Sequence, residues 1–451
     1  MSEFDLILRG GTLVTATEVV RADIGVSGEA ITALAPALPG ASREVVNAKD
    51  LHVFPGVIDA HVHVNDPGRA EWEGFETGSR ALAAGGGTLF FDMPLNAHPP
   101  TVDRESFRLK VAAAEQHSVI DFALWGGLVP SNADRLAELA ECGVIGFKAF
   151  MADSGIEDFA RVEDRTLREG MKRAAQLRLP VAVHAESDAM TRELAQERIA
   201  KGQTTVGDYL ASRPVAAELD AIRRALDLAG ETGCALHIVH VSCGEGIHLI
   251  LEARSRGVNV SCETCPHYLV LTEDDIMRIG ALAKCAPPLR PAREQEELWQ
   301  RLIAGDVTTV GSDHSPSPPE MKQGPNFFKV WGGISGGQHT LPLLLTEGHV
   351  NRGMVLPLIA ALLSRNVAQQ FELPRNKGQI AVGADADLAL VDLRQAFEVK
   401  ASDLLYRHAH SPYVGRMLRG EVVRTILRGR TVFQDGKIVA KPSGRLVKPL
   451  K

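Results

Sequence analysis

Eight short apolar segments recur between residues 57 and 313, and stretches of helix-like composition separate them. The segments cover residues 57–63, 87–93, 122–129, 144–150, 181–184, 235–241, 258–263 and 308–313. Because they are apolar along most of their length, they are typical of parallel strands that are buried on both faces of a sheet. Eight successive β-then-α units predict a (β/α)8 TIM barrel, and a doubly wound open sheet is the alternative.

The two ends of the chain show a second pattern, in which short strands are separated by turn residues. The first ~50 residues have this pattern, with a turn predicted at Gly10-Gly11. Short strands return in residues 377–392 and 421–435. We therefore predict an α/β protein in which one small β-sandwich domain, built from both chain ends, flanks the barrel. The predicted regions are residues 1–52 (N-terminal part of the β-sandwich), 53–372 (TIM-barrel catalytic domain) and 373–451 (C-terminal part of the β-sandwich).

The composition argues against several classes of partner. A net charge of −7 is poorly suited to nucleic acid, because phosphate binding needs a concentrated basic surface. No apolar run is long enough to cross a bilayer, so no membrane association is expected. The N-terminus lacks a basic start followed by an apolar stretch, and the six cysteines are expected to be reduced. These features predict a cytoplasmic protein.

Polar residues that can bind metal stand at or near the ends of five of the eight apolar segments. In TIM barrels the catalytic residues lie at the carboxyl ends of the strands. The candidates at these ends are His61 and His63 (first segment), Lys148 (fourth), His184 (fifth), His240 (sixth) and Asp313 (eighth). We expect all six side chains to meet at one rim of the barrel.

The individual residues allow a structural and a functional interpretation. His61 and His63 lie on the same face of a strand because side chains repeat every two residues, which suits chelation of one ion. On their own, however, they could be two partly exposed histidines. Lys148 is costly inside an apolar strand unless it is paired or neutral. It could reach a surface carboxylate, or it could react as a neutral amine with CO2 to give a carbamate that bridges two ions.

The other three candidates have structural alternatives as well. His184 and His240 follow apolar runs, where a neutral imidazole ligand fits better than an imidazolium. Each could instead be a core histidine that bonds to the backbone, which is our interpretation of His237 in the middle of its strand. Asp313 could bind metal and move a proton, or it could cap a helix. Their occurrence together favours the functional interpretation of all six.

The segment Asp59-Ala60-His61-Val62-His63 and the Lys148, His184, His240 and Asp313 segments together resemble the amidohydrolase superfamily. Residues 383–388, Gly-Ala-Asp-Ala-Asp-Leu, are similar to the flanking β domain of that superfamily. The chain is most similar to the cyclic-amidohydrolase branch, and within it to the allantoinases. The segments that carry this last likeness are residues 63–69, 92–96, 99–101, 263–268, 284–290, 312–316 and 330–334.

Two positions distinguish the chain from other enzymes of the branch. Dihydroorotases usually have arginine two residues after the second histidine, to bind the substrate carboxylate, and Asn65 occupies this position here. Hydantoinases usually have a tyrosine shortly after the lysine, and residues 149–154 contain none. Both differences favour a neutral cyclic ureide as the small-molecule substrate.

The resemblance implies hydrolysis of the hydantoin ring of allantoin to allantoate by a homotetramer. It implies two divalent metal ions (zinc first, with cobalt, manganese or iron possible) bridged by N6-carboxylated Lys148, with Asp313 carrying the proton to the leaving nitrogen. The expected substrate contacts are Asn65, Asn96, Cys285, Pro287 and Ser315. A hydantoinase or dihydropyrimidinase is the nearest alternative. A dihydroorotase, a non-catalytic scaffold protein and a mononuclear deaminase are further alternatives.

Overall fold

The strands of the chain fall into one group in the middle of the sequence and one group from its two ends. The computed structural model describes residues 3–450. Its strands are β1 (Phe4–Val14), β2 (Val19–Ser27), β3 (Ala30–Ala35), β4 (Ser42–Asn47), β5 (His52–Pro55), β6 (Val57–Val62), β7 (Gly87–Asp92), β8 (Asp121–Leu124), β9 (Gly126–Gly127), β10 (Phe147–Phe150), β11 (Val181–His184), β12 (Leu236–Ile238), β13 (Val260–Thr264), β14 (Thr309–Val310), β15 (Leu388–Glu398), β16 (Met417–Leu427), β17 (Arg430–Gln434) and β18 (Lys437–Ile438).

The helices lie mainly between the strands of the middle group. They are α1 (Phe75–Ala84), α2 (Arg104–His117), α3 (Leu136–Cys142), α4 (Asp164–Leu177), α5 (Asp188–Ala200), α6 (Val206–Ala211), α7 (Val215–Thr232), α8 (Gly244–Ser255), α9 (Pro266–Val270), α10 (Glu273–Ile279), α11 (Ala292–Ile303), α12 (Thr340–Leu343), α13 (Leu356–Ala360) and α14 (Asn366–Gln370). Leu344–Val350 and Ala361–Arg365 are π-helical continuations of α12 and α13. Among residues 3–450, no helix combines the length and apolarity that a membrane span requires.

Strands β6 to β14 form a closed parallel barrel. One parallel sheet has the order β6-β7-β8, and another has the order β14-β13-β12-β11-β10-β9. The two sheets are continuous because β8 and β9 are neighbouring parts of one segment, interrupted at Trp125, whose ring nitrogen donates to Ala60 O at 3.0 Å. The ring closes where Val62 bridges His314 and His63 N donates to His314 O at 2.8 Å. This closure confirms the predicted barrel and excludes the open sheet.

The chain ends build one mixed sheet of nine strands beside the barrel. Its order is β18-β17-β16-β15-β5-β1-β2-β3, and β4 also pairs with β1. Antiparallel pairing of β5 with β15 joins the strands of the two chain ends. The core of this sheet includes Leu8, Ile24, Leu388 and Ile426, all at most 1% exposed. The prediction of a small β domain built from both ends is therefore confirmed.

Two local predictions differ from the structure. The turn predicted at Gly10-Gly11 is wrong, because β1 continues through both glycines and pairs with β2 across a β-bulge between Leu8 and Gly11. Gly10 has a φ of +70°, which the extra residue of a bulge requires and glycine allows without strain. The last barrel strand is shorter than the predicted segment 308–313, because the chain leaves the sheet after Val310 to close the ring through His314.

The β domain is fixed to the barrel by a buried group of charges. Lys377 Nζ lies 2.9 Å from Asp121 Oδ2 at the start of β8, and 2.8 Å from Asp387 Oδ2 in the approach to β15. Arg428 contacts Asp121 from the end of β16. Because each buried charge has a partner of opposite sign, the group holds the two parts together without an isolated charge.

Candidate active site

One cavity opens at the carboxyl ends of the barrel strands, with a volume of about 510 Å³. All six residues predicted to bind metal contribute to its lining, namely His61, His63, Lys148, His184, His240 and Asp313. Five of the six are at most 5% exposed. The structure thus brings together side chains that the sequence separates by up to 252 positions, counted from residue 61 to residue 313.

His61, His63 and Asp313 form one half of the site. Asp313 Oδ1 lies 3.2 Å from His61 Nε2 and 3.4 Å from His63 Nε2. The three ligand atoms lie within 4.8 Å of one another, so these side chains could hold one metal ion. Burial opposes ionisation of Asp313, but His61 and His63 hold its pKa well below the usual range.

His61 is oriented by a buried carboxylate. Its Nδ1 lies 2.7 Å from Glu263 Oε1, at the end of β13, so a proton on Nδ1 leaves Nε2 free as a ligand. Although burial opposes ionisation, the interaction with His61 lowers the pKa of Glu263 to about 2. Burial also lowers the pKa of His61, which favours the neutral ring that metal binding requires.

His184 and His240 form the other half of the site. His184 Nδ1 and His240 Nε2 face each other at 3.1 Å. His184 Nε2 lies 2.8 Å from Glu186 Oε2, and Glu186 also forms an ion pair with Arg213. Burial opposes ionisation of Glu186, but Arg213 and His184 lower its pKa to about 2. This arrangement presents Nδ1 of His184 to the cavity, whereas His61 presents Nε2.

Lys148 lies on β10, between the two halves. Its side chain is fully buried, and Nζ has no hydrogen-bond partner. Burial lowers the pKa of Lys148 to about 8, although Asp313 and Glu263 oppose the shift. An unpartnered buried amine of this kind is available for reaction with CO2, and the resulting carbamate would give the site the oxygen ligand that its imidazoles need for a second ion. The donor set therefore fits a pair of divalent metals.

Phe150 covers Lys148 and His184 from the cavity side. Its ring is stacked on the His184 ring at a centroid distance of 4.7 Å and an interplanar angle of 10°. Lys148 Nζ lies 5.1 Å from the same ring centroid. The phenyl ring therefore restricts the motion of one histidine and limits access of water to the amine.

The backbone is unusual at several residues of the site. His240 and Asp313 have φ values of 41° and 45°, and Asn96 has 62°. Non-glycine residues rarely adopt this left-handed conformation, and the surrounding structure must hold them there. In this protein the conformation turns the chain sharply where strands end, which directs the side chains of His240 and Asp313 into the cavity.

Three of the five residues predicted to contact substrate line the cavity, and the other two do not. Asn96, Cys285 and Ser315 contribute to the lining of the cavity. Asn65 and Pro287 do not: Asn65 Nδ2 donates to Pro316 O at 3.3 Å, and Pro287 O accepts a hydrogen bond from the Tyr268 hydroxyl at 2.7 Å. The Asn65 side chain and the Pro287 carbonyl therefore bond to other parts of the protein outside that lining.

Sequence reasoning missed the residues behind the histidines. Glu263 and Glu186 each bind the ring nitrogen that faces away from the cavity, and Arg213 supports Glu186. Glu186 could have been found, because it follows His184 by two residues and a ligating histidine usually bonds to a carboxylate. Arg213 precedes α7 and has no local pattern that marks it.

Comparison with known proteins gave matches over most or all of the chain. The profile of the amidohydrolase family matches residues 52–432. An allantoinase from Rubrobacter xylanophilus is 58% identical, covering 100% of this chain and 98% of its own length. An allantoinase from Solibacter usitatus is 54% identical, covering 99% and 97%. Among solved structures, an L-hydantoinase (dihydropyrimidinase) from Arthrobacter aurescens superposes with a TM-score of 0.96 at 35% identity, covering 99% and 100%.

Proposed function

This chain belongs to the amidohydrolase family, and from that membership we propose that it opens the hydantoin ring of allantoin to give allantoate. It is a cyclic amidohydrolase, an enzyme that hydrolyses a carbon–nitrogen bond of a ring. The observation that carries the proposal is the convergence of four imidazoles, Asp313 and the unpartnered amine of Lys148 on one cavity. The allantoinases at 54–58% identity over the whole chain support allantoin as the substrate.

The six side chains would divide between two divalent cations. His61, His63 and Asp313 would hold one cation, His184 and His240 the other, and carboxylated Lys148 would bridge them. Bound metal would supply a polarised substrate carbonyl and a water whose pKa is lowered to ~7. Glu263 and Glu186 keep His61 and His184 in the tautomers that present the correct ring nitrogen.

Lys148 would become a ligand by reacting with CO2. The neutral amine attacks the carbon of CO2, a nitrogen–carbon bond forms as one carbon–oxygen π bond opens, and the proton lost from the nitrogen passes to solvent water. The lowered pKa of Lys148, about 8, makes the neutral amine far more available near neutral pH than it is for an exposed lysine. The carbamate carries one negative charge on two oxygens, so it can contact two cations at once.

Asp313 transfers the proton during ring opening. Its pKa lies well below the usual range, so the carboxylate is ionised and can accept the proton of the attacking water. The same group delivers that proton to the ring nitrogen as the carbon–nitrogen bond breaks. In the product the former ring carbonyl is a carboxylate, and the former ring nitrogen is the terminal NH2 of a second ureido group.

The nearest alternative is hydrolysis of other hydantoins or dihydropyrimidines. Structural relatives with these activities in their names are 28–35% identical, well below the allantoinases. The lack of a tyrosine in residues 149–154 also favours allantoin over simple hydantoins. Among the cavity residues, Asn96 and Ser315 are the proposed contacts with the ring, and Cys285 contributes through its backbone.

Activity and metal content together test the proposal. The purified enzyme is assayed on allantoin, hydantoin, dihydrouracil and dihydroorotate, and its bound metal is quantified. We expect the highest kcat/KM on allantoin and about two divalent ions per chain. A clear preference for dihydrouracil would overturn the substrate and leave the metal site intact, whereas a metal-free active enzyme would overturn the site.

Two further properties are proposed for the protein in solution. All six cysteines are free and buried, which supports a reducing, cytoplasmic setting. A homotetramer is proposed from the resemblance to cyclic amidohydrolases. Size-exclusion chromatography with light scattering gives the assembly mass, and a monomer across the accessible concentration range would contradict this assignment.

A further inference from the structure

A second groove lies behind the wall of the active-site cavity and has a volume of about 540 Å³. It lies between α10, the short 3-10 turn Pro319–Lys322 and the loop that contains residues 407–410. Its lining consists of Ile279, Ala281, Leu282, Pro319, Lys322, Gln323, Arg407, His408, Ala409 and His410. None of these residues is acidic, and four of them are basic.

The four basic side chains of this groove form no ion pair within residues 3–450, although the backbone N–H of Arg407 donates to the Glu73 carboxylate at 3.3 Å. Arg407 Nε donates to Glu73 O at 2.6 Å, and His408 Nε2 lies 2.9 Å from Glu71 O. Lys322 Nζ donates to Trp331 O at 3.2 Å and to Gly333 O at 2.6 Å. Within residues 3–450 no ion pair joins Lys322, Arg407, His408 or His410 to an acid, since the partners of these side chains are all backbone oxygens.

Several buried cations elsewhere in this protein have an acid beside them. Lys110 pairs with Asp92, Arg290 pairs with Glu218, and Lys377 contacts three aspartates. Of the four basic residues of the groove, Lys322 is buried, His408 and His410 are half-buried and Arg407 is exposed. Burial lowers the pKa of Lys322 to about 7, so an anion in the groove would favour its protonated form. The groove therefore combines hydrogen-bond donors with a lining that contains no acid.

The basic groups of the groove lie close enough to disfavour one another's charge. The rings of His408 and His410 are parallel, with centroids 6.1 Å apart. Burial, together with Lys322 and His408, lowers the pKa of His410 to about 4. An anion in the groove would reverse this effect, because it would interact favourably with all four groups.

We propose that this groove binds a small oxyanion, a carboxylate or a phosphate, and that its occupancy is transmitted to the active-site wall through Lys322. The proposal goes beyond the hydrolase activity and does not depend on it. An oxyanion accepts charge-assisted hydrogen bonds from guanidinium, imidazolium and ammonium groups, which are the donors that the groove offers.

Lys322 connects the groove to the catalytic cavity. The carbonyls of Trp331 and Gly333 that accept its hydrogen bonds belong to residues that line the catalytic cavity. An anion that attracts the ammonium group of Lys322 weakens these two bonds. The wall segment around Trp331 then changes its environment, and the indole of Trp331 reports the change.

Calorimetric titration of the metal-loaded enzyme tests the binding site. The probes are inorganic phosphate and N-carbamoylglycine, a carboxylate that carries a ureido group. We expect saturable binding of at least one probe, weakened about tenfold in His410→Asn and in Arg407→Met, as for the loss of one charge-assisted hydrogen bond. His248→Asn, at an exposed histidine of α8 that faces Glu252, is the matched control and keeps wild-type affinity.

The outcomes distinguish a phosphate site from a general oxyanion site. They also show whether the groove binds an anion at all. If the two variants bind only phosphate more weakly than wild type does, the site is specific for phosphate. If they bind both probes more weakly, it is a general oxyanion site. Equal affinity in wild type and both variants, or no saturable binding of either probe, would overturn the site. Circular dichroism melts of the two variants confirm that each is folded before the comparison is made.

Tryptophan emission tests the connection through Lys322. Saturating phosphate or N-carbamoylglycine, whichever binds, is expected to change the emission of the wild-type enzyme. The change is expected to be absent in Trp331→Phe, which keeps the other three tryptophans. Unchanged emission of wild type at saturation, or an equal change in Trp331→Phe, would overturn the connection.

Discussion

Two histidines of the site each bond to a buried glutamate, but the two glutamates have different surroundings. The pair of His61 with Glu263 and the pair of His184 with Glu186 have similar lengths, 2.7 and 2.8 Å. Glu186 also forms an ion pair with Arg213. Within residues 3–450, Glu263 has no arginine or lysine at ion-pair distance, and its ion-pair partners are the rings of His61 and His237.

The surroundings of Glu263 leave no room for a further cation. A side-chain carbon added at Gly311 would lie 2.5 Å from Glu263 Oε2, so the chain after β14 packs directly on the carboxylate. Glu263 is fully buried, and Oε2 has no hydrogen-bond partner. Its carboxylate therefore faces the rings of His61 and His237, and a cation bound to His61 would add to the balance of its negative charge.

The difference shows how the site divides its charge. The half that contains His184 is balanced by the chain itself, because Arg213 is always positive. The half that contains His61 needs a positive charge from outside, and a divalent cation bound to Nε2 supplies it. Metal removal is therefore expected to destabilise the half that contains His61 more than the half that contains His184. Three of the four predictions that follow test one side of this comparison.

The largest effect is expected where the two halves meet, at Lys148. Lys148→Met removes the amine that we propose as the bridge between them, so activity is expected to fall to background. Bound metal is expected to fall from about two ions per chain to about one or none. Lys284→Met is the matched control, because Lys284 also lies in the cavity wall without a carboxylate partner. Retention of full activity and metal by Lys148→Met would refute a bridged pair of cations.

Glu186→Gln tests the half of the site that contains His184, where Arg213 balances the charge of Glu186. It leaves Arg213 without an acid, so we expect the metal-free protein to lose about 2–3 kcal/mol of unfolding free energy. This value is below the ~3–5 kcal/mol of a fully buried pair, because 18% of the Arg213 side chain remains exposed. Urea denaturation followed by circular dichroism measures the change. The double variant Glu186→Gln/Arg213→Met should recover part of the loss, and no recovery would mean that Arg213 is not the cause.

Glu263→Gln tests the half of the site that contains His61, and its effect on stability should be smaller. In the metal-free protein Glu263 interacts with the rings of His61 and His237 and with no arginine, so the unfolding free energy is expected to fall by less than in Glu186→Gln. Metal affinity is expected to fall about 10–100-fold, because His61 loses the carboxylate that orients its ring and raises its basicity. Chelator competition measures the affinity. A loss of metal-free stability as large as that of Glu186→Gln would contradict the comparison.

Much of this architecture can be predicted from the sequence, and the physical reasons also show which features cannot be predicted. Parallel strands buried on both faces must be apolar along their length, so the barrel strands are visible as apolar segments. Polar residues at their ends then stand out, which is why His61, His184 and Asp313 could be placed at one rim. Glu186 also lies beside its histidine in the sequence, and a search for carboxylates behind ligands would have found it.

Arg213 shows where sequence reasoning ends. It lies 27 positions from Glu186, in the segment between α6 and α7, and its role depends on how that segment folds over the barrel. The same limit explains the turn wrongly predicted at Gly10-Gly11. Two adjacent glycines favour a turn locally, but pairing of β1 with β2 on both sides of them turns the site into a bulge.

The smallest effect is expected for Phe150, an uncharged residue that contacts His184 in the half of the site where Arg213 balances Glu186. Phe150→Leu removes a ring stacked on His184 and facing Lys148 Nζ, at a cost of about 1 kcal/mol, which corresponds to a roughly fivefold fall in kcat/KM. Phe159→Leu is the control, since Phe159 is fully buried and contacts Phe150 at 5.9 Å without stacking on His184. We expect Phe150→Leu to keep its metal, because Glu186 still orients His184. A fall in metal content as large as that of Glu263→Gln would show that ring stacking, and not the carboxylate, fixes the second half of the site.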